Sequence, residues 1–343
     1  MKRLIIHADD LGADEARNAG IMEAIEAGSV TAASILVNGP AFQDCLQRIA
    51  SMNGKQLSFG VHLNLTEGRP LSPGLETITG KDGCFCGKQE GHRRLMNRGD
   101  DALEKEIRRE FAAQIQALRD AGVRIDHIDG HQHVHIFPGA IDATVWTARE
   151  FGIPWMRIPE EPLPARSMDR NNPLLNDEAE RFCRLAAAAR IKLDDFVKSP
   201  DAALRCILRH CGVRQVRLIP QDLRALPAEL FTQPSKRTHS STFYEDVKLH
   251  GSTMKTTDHF RGLYLKGNLS LESLERTLQT LPPGLTELMV HPGRAHGRPV
   301  QGPFSAFSNR EREKELTVLT SGSFQRMLDK YHVLLTPFPE ACP

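Results

Sequence analysis

Short runs rich in apolar and β-branched residues alternate with helix-length amphipathic runs along most of this chain. That alternation leaves few folds open. Strands separated by helices pair in parallel through right-handed crossovers. Strands are expected at residues 3–8, 33–37, 57–65, 124–131 and 155–158, and helices at 14–27, 41–50, 101–121 and 140–151. The helix at 101–121 has the clearest pattern, with Leu103, Ile107, Phe111, Ile115 and Leu118 on one face. Further strands are expected at 216–219, 263–265, 287–290 and 332–335, and helices at 176–191, 202–210, 271–281 and 310–319. The Gly-rich stretch 70–99 reads as a loop over one end of the fold. About seven or eight β/α units favour a closed or nearly closed (β/α) barrel, with an open doubly wound sheet second.

Composition removes several function classes. The 343 residues can bury a sizeable core, and 40% hydrophobic with 25% charged residues is ordinary for a soluble globular chain. Lys+Arg is 44 against Asp+Glu 43, a net of +1, so no global field draws nucleic acid or an anionic membrane. No apolar run approaches the ~20 residues that span a bilayer. The opening MKRLIIHADDLG does not read as a signal peptide. Seven irregularly spaced cysteines include no CxxC pair, which points to thiols in a reducing, cytoplasmic setting. Neither GxGxxG nor GxxxxGK[ST] occurs, which argues against dinucleotide and nucleoside-triphosphate chemistry.

Polar residues gather where the expected strands end, and in parallel α/β folds those ends form the ligand site. The first end carries His7, Asp9 and Asp10; alternation along a strand points the two carboxylates different ways, and Asp10 or Asp14 could simply cap the next helix. The second carries His62 and Asn64 on one face. The third, HIDGHQHVH at 127–135, holds four of the fourteen histidines in nine residues. If that strand continues, Asp129, His131, His133 and His135 share a face. The fourth is His291 before a Pro-Gly turn. Asp10, His62 and His131 make a set of two nitrogens and one oxygen that leaves positions open for water and substrate. Water acidified there could lose its proton to Asp9, while His291 protonates the leaving group.

At these residues the chain resembles the YdjC/ChbG family of carbohydrate deacetylases. The matching pieces are ADDLG (8–12), TAASILVNGPAF (31–42), GVHLNLTEGRP (60–70), HIDGHQHVHIFP (127–138) and VHPG (290–293). The resemblance implies an irregular, TIM-like (β/α) barrel similar to polysaccharide deacetylases. It also implies metal-dependent removal of acetyl groups from N-acetylated sugars, chitooligosaccharides being the best-known class. Carried onto this sequence, the metal set is Asp10, His62 and His131, the base Asp9, and the acid His291; Asp129 and His135 fall within the motif in support. Magnesium comes first on the resemblance and zinc second on ligand chemistry. The stretch at about 160–257 does not match, and is expected to be an insertion within a single domain spanning 1–343. Arg157, Tyr244, Asp258 and Phe260 could contribute to the pocket without ranking as sites. The expected partner is a small-molecule or oligosaccharide substrate, with no nucleic acid and no membrane; a homodimer stays open. The alternatives are a metal-dependent phosphoesterase or amidohydrolase of another (β/α)-barrel family, and a non-catalytic carbohydrate-binding or metal-sensing protein.

Overall fold

The computed structural model describes residues 1–52, 57–162, 173–198, 254–296, 301–307 and 310–339. The chain divides into two compact units, Met1–Arg190 with Lys255–Pro343, and Ile191–Met254. Most of the second unit, the helix expected at 202–210, the strand expected at 216–219 and Tyr244 lie outside the described residues.

Among the described residues the first unit is built on eight strands: β1 (Lys2–Leu11), β2 (Ala32–Ile35), β3 (Ser58–Leu63), β4 (His127–Gly130), β5 (Trp155–Met156), β6 (His259–Arg261), β7 (Gly284–Val290) and β8 (Val333–Leu335). Every pairing is parallel, in the order β5-β4-β3-β2-β1-β7-β6, with β8 also against β1. Lys255, shortly before β6, bridges in parallel to Trp155 of β5 at the edge of the sheet. The architecture is a parallel, barrel-like (β/α) fold, as the alternation predicts.

β1 runs through the centre because Leu4, Ile5 and Ile6 are fully buried and can face neighbours on both sides. β7 pairs with it from Lys2 to Ala8, β8 from Lys2 to Leu4, and β2 from His7 to Leu11. Ile5, Ala32, Trp155, Leu285 and Phe338 form one apolar cluster. Phe338 also stacks on the His127 ring at 4.3 Å, and its carbonyl lies 3.4 Å from Ser58 Oγ.

Helices flank the sheet: α1 (Glu15–Glu26), α2 (Phe42–Ala50), α3 (Lys88–Leu95), α4 (Asp101–Asp120), α5 (Ile141–Glu150), α6 (Pro173–Lys198), α7 (Leu271–Thr280), α8 (Arg310–Leu319) and α9 (Gly322–Lys330). Asp14 caps α1 by accepting from Arg17 N at 2.8 Å, which satisfies an otherwise unpaired donor. α4 buries the five apolar residues its periodicity marks. Among the described residues, no helix is long and apolar enough to cross a membrane.

Four local expectations are corrected. The leucines at 263–265 belong to a turn, not a strand: Leu263 N donates to the Glu161 carboxylate at 2.7 Å, and Lys266 N returns to Gly262 O at 3.2 Å. Leu263 and Leu265 are nonetheless buried, so their apolar character reports burial rather than extension. The loop 70–99 contains α3, whose charged sequence carries almost no apolar period. α9, capped by Ser321, was not expected. The strand expected at 124–131 is β4, which ends at Gly130, and it does not continue toward 135: His131–Ile136 forms a short 3-10 turn with Gln132 (φ 52°) and His133 (φ 58°) in the left-handed region.

Candidate functional site

β1 does not end as a plain strand. Its register against β2 shifts between Ala8 and Leu11, and Asp10 sits at φ 69°. A left-handed non-glycine residue costs on the order of 1 kcal/mol and persists where its surroundings over-determine it. Here the irregularity lets both Asp9 and Asp10 line one cavity, where simple alternation would send one of them away. Asp10 does not cap α1; that role falls to Asp14.

The same cavity, of about 100 Å³, is also lined by His62 from β3, His131 and His133 from the 3-10 turn, Lys266, and His291 just after β7. All five residues assigned to the chemistry therefore meet in one place. Ligand atoms of Asp10, His62 and His131 lie within 4.8 Å of one another, and all three residues are buried. His131 Nδ1 is 2.9 Å and His62 Nε2 3.5 Å from Asp10 Oδ1. The other carboxylate oxygen of Asp10 is taken by the Arg312 guanidinium from α8. Burial pushes the Asp10 carboxyl up, but Arg312 and His131 outweigh it and hold it well below the usual carboxylate range.

The far side of His62 is equally determined. Its Nδ1 lies 2.8 Å from Asp129 Oδ1 and 2.8 Å from Ser34 Oγ, while Ser34 donates to Asp129 Oδ2 at 3.0 Å. A proton on Nδ1 leaves the Nε2 lone pair facing Asp10, the tautomer a metal ligand needs. Burial lowers the pKa of His62, but Asp129 and Asp10 raise it to about 10 without an ion present. His131 Nε2 lies 2.9 Å from Glu67 Oε2. Burial raises Glu67 and its contact with His131 lowers it, with a net downward shift. Two imidazoles and one carboxylate, converging and backed by further carboxylates, fit a divalent cation.

A second convergence, His7, Asp9 and Asp129, meets the same proximity limit. Its oxygens already hold a cation, the Arg157 guanidinium. Arg157 Nη1 and Nη2 donate to the two oxygens of Asp9 at 2.7 Å each, Nη1 also lies 2.9 Å from Asp129 Oδ2, and Nε donates to Glu287 Oε1 at 2.6 Å. Burial pushes Asp9 up, but Arg157 and His7 hold it well below the usual range. His7 Nε2 in turn lies 2.7 Å from His127 Nε2.

His291 is held by its backbone: its N–H donates to Glu315 Oε2 at 2.6 Å, and its ring meets Phe307 edge-on at 5.4 Å. Burial, then the Lys266 charge, press its pKa well below the usual histidine value. The remaining histidines of the motif diverge. His133 lines the cavity against Phe182, with ring centroids 4.7 Å apart, and His135 turns inward to Arg157 O at 3.0 Å. Gly130 permits that fold-back, because a Cβ there would lie 2.9 Å from His135 Nδ1. The shared strand face expected for Asp129, His131, His133 and His135 is thus replaced by a turn that keeps only His131 in the triad.

Sequence reasoning left Arg157 unranked and passed over Ser34, Glu67 and Arg312. Ser34 and Glu67 lie inside TAASILVNGPAF and GVHLNLTEGRP, so a signal existed. Arg312 sits in REREKE, which reads as a solvated helix face. Of the other residues noted, Phe260 lies under Arg157 at 5.6 Å, and Asp258 accepts from Leu285 N at 2.8 Å. A larger cavity of about 650 Å³, lined by Glu161, Cys183, Arg184 and Arg190, holds none of the five residues above.

The family model described as YdjC-like protein matches residues 3–330. A carbohydrate deacetylase of Mus musculus is 30% identical, with 97% of this chain and 93% of that protein covered. A carbohydrate deacetylase of Homo sapiens is 38% identical over 46% of this chain and about half of its own length, 49%. One of Brevibacillus brevis is 34% identical over 44% of this chain and 58% of its own. Among solved structures, a protein of Enterococcus faecalis V583 named for cellobiose-phosphate cleavage superposes with a TM-score of 0.62 at 21% identity, covering 98% of this chain and 97% of that one. That likeness is one of fold.

Proposed function

The chain belongs to the YdjC-like family, and on that premise we propose that it removes acetyl groups from N-acetylated sugars by metal-dependent amide hydrolysis. The observation that carries the proposal is the convergence of Asp10, His62 and His131 within 4.8 Å, on the cavity wall that also holds Asp9 and His291. The relatives named carbohydrate deacetylase support the substrate class.

In this reading Asp10, His62 and His131 hold a divalent ion, which would polarise the acetyl carbonyl and acidify a water. Two imidazoles suit zinc or another transition ion on donor chemistry, while magnesium follows from the resemblance. Asp9 accepts the proton shed by the attacking water. Arg157 keeps it ionised and aimed, at the cost of making it a weak base that needs an acidified partner. His291 protonates the departing amine. Burial and the Lys266 charge press the pKa of His291 well below the usual histidine value, and the proton the amine gains is the one the attacking water gave up to Asp9, so the hydrolysis balances. The small cavity, with Phe182, Leu263 and Met289 among its lining, suits an acetamido group better than a whole saccharide.

The test is acetate release from a panel of N-acetylated sugars, with and without chelator and with Mg2+ or Zn2+ restored. Acetate that appears only with metal supports the proposal, and His131→Ala should lose the ion. Phosphate release from sugar phosphates, or sugar binding without any acetate, would replace it with the phosphoesterase or binding-protein reading.

A further inference from the structure

Each imidazole of the triad turns one ring nitrogen to Asp10 and the other to a second carboxylate. For His62 that carboxylate is Asp129, at 2.8 Å. For His131 it is Glu67, at 2.9 Å. Glu67 comes from a different part of the chain, the stretch GVHLNLTEGRP, of which the proposed chemistry uses only His62.

The turn that carries Glu67 is fastened from several sides. Asn64 Oδ1 accepts from Thr66 N at 2.9 Å and Glu67 N at 3.2 Å. Asn64 Nδ2 donates to Glu67 O at 2.7 Å, and Asn38 Nδ2 donates to the same carbonyl at 3.2 Å. The next residue, Gly68, has φ +77°, and a Cβ there would lie 3.2 Å from the Phe304 ring. The Glu67 side chain is only 16% exposed. A solvated loop needs none of this, whereas a carboxylate that must meet one imidazole nitrogen needs all of it.

We propose that Glu67 is a positioning residue for His131: it accepts the N–H of the ring nitrogen turned away from Asp10, and so fixes the tautomer and orientation in which His131 ligates a divalent cation. The inference rests on the metal reading above. It makes the triad chemically even, with each ligating imidazole backed by its own carboxylate. Partners of this kind typically change metal affinity about 10- to 100-fold when removed.

Glu67→Gln keeps the shape and one acceptor oxygen but drops the charge. The full chain, stripped with chelator, is titrated with Zn2+ alone against a chromophoric chelator, and its melting is followed with and without the ion. Binding about 10- to 100-fold weaker than wild type is expected, with apo melting unchanged. A role confined to fastening the loop gives the opposite pattern: lower apo melting with Zn2+ affinity within about threefold of wild type, a result that overturns the inference. Should Glu67→Gln not fold, Glu67→Asp, which keeps the charge but shortens the reach, is held to the same two readouts. A wild type that binds no Zn2+ overturns the metal reading itself; a wild type that binds while the variant is unaffected overturns this inference alone.

Discussion

Arg157 grips Asp9 with both terminal nitrogens, 2.7 Å to each carboxylate oxygen, and no water is needed between them. The same guanidinium also holds Asp129, the carboxylate behind His62, so one side chain joins the proposed base to the back of the proposed metal ligand. Asp9→Asn removes a proton acceptor without touching the triad. It should retain the ion and lose about 10²- to 10⁴-fold in kcat. Arg157→Met leaves Asp9, Asp129 and Glu287 buried without their cation, and should lose about 3–5 kcal/mol in denaturant unfolding. An Arg157→Met protein as stable as wild type would contradict this charge balance.

Acid should loosen the fold through its buried imidazoles. Burial, with Lys88 and Arg181 nearby, pushes His92 down to about 4 from an ordinary 6.5. Between those values the unfolded chain binds the proton and the folded chain refuses it, so stability rises with pH across that window and is lost as pH falls through it. The gap amounts to on the order of 3 kcal/mol once pH drops below 4. The His92 ring packs on Phe137 at 4.6 Å, and its Nε2 has no partner among the described residues. His92→Phe should therefore fold and show a shallower loss of urea stability from pH 6.5 to 4. An unchanged slope would assign the acid sensitivity elsewhere, for instance to His135, which burial also lowers to about 4.

Phe338 should matter far more than its place near the C-terminus suggests. It is 4% exposed, clusters with Ile5, Trp155 and Leu285, and stacks on His127. Phe338→Ala should cost about 3–5 kcal/mol, read by thermal or chemical unfolding, because residues from β1, β5 and β7 would line the void together. A loss below about 1 kcal/mol would mean that the cluster closes over the gap.

The fold was legible because hydrophobic period survives in sequence: β1, α4, α5, α7 and α8 lie within a residue or a few of where their patterns put them. That the five proposed residues would converge was legible from carboxylates and imidazoles placed at successive strand ends. Signals failed where tertiary contacts override local pattern. Leu263 and Leu265 look extended, yet a buried Glu161 carboxylate holds their segment as a turn. HIDGHQHVH alternates like a strand, yet Gly130 and two left-handed residues curl it. Arg312 and Glu315 look like a solvated face, yet both are 1% exposed and bond Asp10 and His291. A charged helix conceals inward-facing charge until its neighbours are known.

The bond from Arg312 to Asp10 joins positions 302 residues apart. A growing polypeptide therefore carries its first acidic pair, then its imidazoles, long before the guanidinium that steadies them has been synthesised. In the folded chain the carboxylate oxygen that Arg312 takes has Arg17 as a further cation nearby, 3.8 Å away. The buried charge of Asp10 is therefore fully balanced only where the late helix packs against the early strand.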